Sequence, residues 1–295
     1  MAPFMSNSST GKIVGTAPRA SVGTAATLLK DVSGEIKMRH ASGDDGLALC
    51  QLRTQAVDQS VRAIWAAILE ELSESDRNEM NRRVTVVAHG GYARGEMTPG
   101  SDVDIRLLHD IAAVGEGPPL SAETAGRGDV FADVARRLLQ DLFDAGLEVG
   151  QSVRTINEAV QLASSDATIF SSLLEMRVLV GDTTRCQKLV KRLRVMSQRS
   201  SRKMARLLVA ARREEARKYG ETVYLLQPNV KRSVGGVRDI QLARWLAFLE
   251  SDRLPPLGPQ PLPEGETLVS VDVGGLRKGG SRGVSDTDFE MLGLA

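Results

Sequence analysis

Two cysteines, Cys50 and Cys186, and three histidines, His40, His89 and His109, are all that 295 residues contain of these types. Two thiols this far apart make no disulfide framework and no zinc site, and the histidines show no metal-ligand spacing. No run reaches the ~18 apolar residues of a membrane span. Residues 1–35 are rich in Ser, Thr, Gly and Ala and lack the basic and apolar regions of a secretion signal. The expected location is the cytoplasm, with no membrane partner. Charge of one sign is also lacking: 38 basic against 37 acidic residues leave a net +1. No global field then steers the chain to nucleic acid, which disfavours a polymerase or a tRNA-modifying enzyme. With 42% hydrophobic residues the chain can bury one good core and a second, helical one.

What is present is concentrated in residues 90–104, Gly90-Gly91-Tyr92-Ala93-Arg94-Gly95-Glu96-Met97-Thr98-Pro99-Gly100-Ser101-Asp102-Val103-Asp104. Val84–His89 before it reads as a short buried strand, and Val103–Leu108 as a second, alternating one. Paired glycines at a strand end let the backbone approach a phosphate with its N–H groups exposed, and Ser101 can add a hydroxyl donor. Asp102 and Asp104 fall on the same side of an extended strand, roughly 6.5 to 7 Å apart. Carboxylates so placed can grip Mg²⁺, with Mn²⁺ as the alternative, together with phosphate oxygens. That arrangement neutralises a triphosphate and aligns its α-phosphorus for in-line attack. Arg94 can add charge compensation, and a surface or fold-bracing arginine stays open. His89 is expected to be structural at the strand end. Asp-x-Asp alone, or Gly-Gly alone, says little; their combination carries the inference.

These residues resemble the nucleotidyltransferase superfamily of the DNA polymerase β type, whose hallmark is Gly-Gly or Gly-Ser followed by Asp-x-Asp. Within it they look most like the bacterial PII-protein uridylyltransferase/uridylyl-removing enzymes. Further segments are similar: Leu147 to Thr155, Ser171 to Asp182, Tyr219 to Lys231, and Gly235-Gly236-Val237-Arg238-Asp239-Ile240-Gln241. The resemblance covers residues 45–250. It departs where Gln151 replaces a usual His, Gln227 a usual Glu, and Arg232-Ser233-Val234 a Glu-Gly-Pro run. It implies Mg²⁺-dependent transfer of UMP from UTP to a tyrosine of a PII-type signalling protein. Asp102 and Asp104 would hold the metal, and Gly90, Gly91, Arg94 and Ser101 the nucleotide. Such enzymes generally use a third carboxylate on a later strand; Glu148 is the candidate, and a plain strand-face glutamate remains the alternative. A second reading is adenylyl transfer to glutamine synthetase, whose enzyme shares Gly-Gly, Ser-Asp-x-Asp and a Gly-Gly-x-Arg-Asp-Ile-like segment. A third is a nucleotide- or PII-binding module without turnover. The family continues into an HD phosphohydrolase and two ACT modules, for which this sequence has no room. UMP addition without removal or glutamine sensing is therefore implied.

The expected fold class is α+β: a small mixed β-sheet nucleotidyltransferase core with helices, followed by a mostly helical domain. Residues 1–44 are expected to be a disordered or weakly ordered extension, 45–156 the catalytic domain, and 157–252 the helical domain. Residues 253–295 are expected to be a tail without packed structure, because five prolines lie between Pro255 and Pro263. Val57, Val61, Ile64, Trp65, Ile68, Leu69 and Leu72 recur at helical steps. So do Phe131, Val134, Leu138, Leu139, Leu142 and Phe143. Leu147 to Ile156 reads as a third strand. Leu173, Leu174, Val178 and Leu179 mark one helix, Cys186 to Tyr219 a single long basic one, and Val237 to Leu249 another.

Overall fold

The computed structural model describes residues 19–111, 127–219, 226–227 and 229–251. In chain order the elements are α1 (Ala20–Ala41), α2 (Gly46–Glu70), α3 (Glu74–Arg83), β1 (Val84–His89), α4 (Gly90–Ala93), β2 (Val103–His109) and α5 (Arg127–Asp144). Then come β3 (Val149–Thr155), α6 (Ile156–Ala163), α7 (Ala167–Leu174), β4 (Met176–Val180), α8 (Thr184–Arg199), α9 (Ser201–Tyr219) and α10 (Val237–Ser251). The strands form one mixed sheet in the order β3-β2-β1-β4. β1 pairs antiparallel with both β2 and β4, and β2 pairs parallel with β3. The α+β expectation stands.

Side-chain alternation divides the sheet into two faces. Val84, Val86 and Ala88 of β1, with Val103, Ile105 and Leu107 of β2, join a core with α1, α2 and α5. Val87 and Leu108 point the other way, into a second core with α6 to α10. Asp104 and Arg106 share the face of Leu108, so the carboxylates lie on the side covered by the later helices. Local sequence fixes the element ends: Asp45 caps α2 by accepting from the Ala48 amide, and Thr155 with Glu158 forms a capping box on α6.

Three expectations need correction. Residues 20–41 are not a weakly ordered extension but α1, which shares a core with α2 through Val22, Ala25 and Leu29 and also buries Ile36. Those apolar residues follow helical spacing, and the Ser, Thr, Gly and Ala around them dilute the stripe. Val178 and Leu179 lie in β4, not in a helix with Leu173, because an apolar run of this length carries no decisive period. The segment read as mostly helical thus returns a strand to the four-stranded sheet. Cys186 to Tyr219 is two helices, not one. The chain breaks at Ser200, with φ −135° and ψ 25°, where serines compete for backbone hydrogen bonds, as Ser197 does with the Arg194 carbonyl. The Pro/Gly-rich tail lies outside the described residues, as do residues 1–18.

Cys50 is half-buried and Cys186 buried, both as free thiols. None of the described helices is long and apolar enough to cross a membrane.

Candidate active site

The strand order brings the end of β1, the start of β2 and the start of β3 together, and Asp104 stands among them. Gly90 opens the α4 turn at φ +61°, a conformation natural to glycine, and a Cβ there would lie 3.1 Å from Asp104 Oδ2. On the other flank Gly150 pairs in register with Asp104, and a Cβ at Gly150 would lie only 2.7 Å from Asp104 Oδ1. Two glycines from separate elements, α4 and β3, therefore keep the space around this carboxylate clear. Gly150→Ala is expected to cut turnover at least tenfold by displacing Asp104, with little change in the denaturation midpoint; unchanged turnover would show that the clearance has no catalytic meaning.

Asp102 is exposed and Asp104 half-buried. Burial, and next the neighbouring Asp102 charge, hold the Asp104 carboxyl above the usual range, against the opposing pull of Lys231, Arg238 and Arg94. Hard oxygen donors held close together against their own repulsion suit a divalent cation. Glu148 lies exposed immediately before β3, where its carbonyl accepts from the Val103 amide at 2.7 Å. The described residues hold no group of three or more His, Cys, Asp or Glu side chains able to bind a metal. The carboxylates brought together beside the Gly90 turn are thus Asp102 and Asp104.

The remaining sequence candidates divide. Ser101 closes its own turn: its Oγ accepts from the Thr98 amide at 3.0 Å and lies 2.9 Å from the Thr98 hydroxyl. Arg94 reaches within 3.8 Å of where a Gly91 Cβ would stand, yet it also braces the fold. Its Nε donates to Glu96 at 2.7 Å and its Nη1 to Glu175, which also accepts from Arg244 of α10 at 2.6 Å. His89 is largely buried, which pushes its imidazole down to about 4. A histidine depressed this way contributes stability fully above the unfolded value of about 6.5, and that contribution is lost as pH falls toward 4. The loss is expected to approach about 3 kcal/mol and to flatten in His89→Gln, as measured by urea unfolding between pH 7 and 4.

Sequence reasoning missed the cations that face these carboxylates from a distant part of the chain. Lys231 lies in a turn over residues 229–236 and Arg238 just after it, and both act electrostatically on Asp104. Buried Arg212 of α9 holds that turn: its Nη1 donates to the Arg232 carbonyl at 3.0 Å, its Nη2 to the Ser233 carbonyl at 2.9 Å, and its Nε to Asp239 at 2.6 Å. Asp239 in turn accepts from the Gly235 amide at 2.6 Å. Gly235 has φ +80°, and a Cβ on Gly236 would meet the Val230 carbonyl at 2.8 Å. The Gly-Gly-Val-Arg-Asp segment is therefore a tight turn with its own internal clasp. Arg106 was missed as well. It is buried two residues beyond Asp104, with Nε donating to Ser152 at 2.8 Å, and burial pushes its guanidinium down to about 10.

Residues 67–161 match the family described as nucleotidyltransferase domain, and residues 202–273 the family described as GlnD PII-uridylyltransferase. Proteins named bifunctional uridylyltransferase/uridylyl-removing enzyme are similar. One from Pseudomonas fluorescens SBW25 is 34% identical over 209 residues, 71% of this chain and 21% of that protein. One from Bradyrhizobium sp. ORS 278 is 35% identical over 191 residues, 64% and 19% respectively. One from Burkholderia mallei SAVP1 is 32% identical over 218 residues, 74% and 22%. The chain thus spans about a fifth of the length of these relatives. The two matched regions, carrying Asp102 and Asp104 at the start of β2 and the clasped turn before α10, are those of a nucleotidyltransferase, and the chain belongs to the PII-uridylyltransferase family.

Proposed function

We propose that this chain, in the cytoplasm, transfers UMP from UTP to a tyrosine hydroxyl of a PII-type signalling protein. The observation that carries the reading is the Asp102–Asp104 pair, of which Asp104 is kept clear by Gly90 and Gly150 and feels the charges of Lys231, Arg238 and Arg94. A divalent cation, Mg²⁺ or Mn²⁺, bound by the two aspartates would neutralise triphosphate charge. The chain's own groups do the rest. The α4 turn at Gly90 and Gly91 offers backbone amides to the phosphates, and Ser101, in the loop just before β2, adds its hydroxyl. Lys231 compensates the charge that grows on the departing pyrophosphate. The acceptor oxygen attacks the α-phosphorus, the bond to the β-phosphate oxygen breaks, and pyrophosphate leaves. Glu148, at the mouth of the site, is proposed to take the hydroxyl proton.

The test is to incubate the purified chain with labelled UTP or ATP, Mg²⁺, and either a PII protein or glutamine synthetase. Label from UTP on PII is the expected result. Label from ATP on glutamine synthetase would replace the reading with adenylyl transfer, and no label on either would leave a binding module.

A further inference from the structure

Between α7, α9 and α10 lies a cavity of about 470 Å³. That is the size range of sites for small organic ligands. Ala167, Leu208 and Ala211 give it apolar walls, Tyr219 and Trp245 aromatic ones, and Arg238 a cationic edge. Two N–H groups at its lining are buried without a hydrogen-bond acceptor among the described residues: Arg238 Nε and the Trp245 indole Nε1. The nearest carboxylate oxygen recorded for Arg238 Nε, on Glu215, is 3.8 Å away, beyond hydrogen-bonding reach. Buried donors left unmade are costly, and a pair of them beside a cavity marks where a ligand's acceptors belong.

The cavity adjoins the carboxylate site through named contacts. Arg94, beside Gly91, pairs with Glu175, which also binds Arg244, the residue before Trp245. From the sheet, Arg106 Nη2 reaches Ser172 Oγ at 3.4 Å, and the adjacent Ser171 lines the cavity. Arg238 belongs to both places, since it lines the cavity and acts on Asp104.

We propose that this cavity receives the nucleoside end of the triphosphate and reads the carbonyl edge of a pyrimidine, an inference that rests on the nucleotidyl-transfer reading above. Uracil presents two ring carbonyls flanking one N–H. Two orphan donors and the Glu215 carboxylate supply the complementary set. Adenine offers an exocyclic amino group where uracil has a carbonyl, so it would leave an N–H facing an N–H. The aromatic walls add stacking surface that either base can use, and discrimination therefore falls to the polar groups.

The experiment measures binding without acceptor, by calorimetry and tryptophan emission, using UTP, ATP and inorganic tripolyphosphate, each with Mg²⁺. Only Trp65 and Trp245 are present, so a nucleotide-dependent change lost in Trp245→Phe reports the cavity. Ala211 is exposed on α9 and lines the cavity, so Ala211→Phe fills it without entering either core. Ala211→Phe is expected to weaken UTP at least tenfold while tripolyphosphate binds as before. Trp245→Phe should abolish the emission change and narrow the preference for UTP over ATP. UTP binding unaltered in Ala211→Phe, or UTP and tripolyphosphate weakened equally, would overturn the pocket alone. A wild-type chain that binds neither UTP nor tripolyphosphate would overturn the transferase reading and the pocket with it.

Discussion

Asp102→Asn and Asp104→Asn are each expected to lower nucleotidyl transfer by on the order of 10²-fold or more. Each substitution removes one of the two carboxylate charges that the proposed site offers to a cation, and the described residues hold no cluster of three or more His, Cys, Asp or Glu side chains to share the loss. Stability should move the other way or hardly at all. The Asp104 carboxyl is held above its usual range, first by burial and then by Asp102. Ionising it in the folded chain therefore costs more than in the unfolded chain at neutral pH, and an amide relieves that cost. Asp104→Asn is thus expected to unfold at the same urea concentration as wild type or a higher one while losing activity. Transfer within tenfold of wild type in either variant would overturn the metal assignment.

The catalytic strand was legible because its information is local. Gly90-Gly91 and Asp102-x-Asp104 lie close in sequence, and a two-residue period places both carboxylates on one face without any tertiary knowledge. Gly150 carries no local signal, since its significance exists only through the parallel register of β3 on β2. The same holds for Lys231 and Arg238: a turn clasped by Arg212 and Asp239 has no periodic signature, and its distance from Asp104 is set by how α9 and α10 pack. α1 escaped notice for a different reason. Its stripe uses Val22, Ala25, Leu29 and Ile36, small or widely spaced residues whose burial depends on α2 being there. β4 was lost in an apolar stretch that a helix would also satisfy. In each case the missing term was a partner far away in sequence.

Removing the Asp58 carboxylate should cost the fold about 3 to 5 kcal/mol, the largest stability effect expected of a single side chain here. Asp58 on α2 and Arg177 on β4 are each almost fully buried, and the guanidinium meets the carboxylate through both of its ends, at 2.5 and 2.9 Å. Both charges gave up hydration to reach this position, so deleting one leaves the other in an apolar interior with less than it lost. Arg177 has other contacts: it lies 3.4 Å from the Tyr92 carbonyl and over the Tyr92 ring at 5.5 Å. These cannot balance a full charge, which is why Asp58→Ala is expected to be far worse than replacing the pair together. Asp58→Leu with Arg177→Met, which exchanges the ions for apolar side chains of similar bulk, should recover most of the loss. The consequence reaches the site because Tyr92 belongs to the α4 turn that carries Gly90 and Gly91. Urea unfolding of wild type, both single variants and the double variant measures the coupling directly. A loss in Asp58→Ala of less than about 1 kcal/mol would show that the turn is held by the surrounding apolar core and not by this pair.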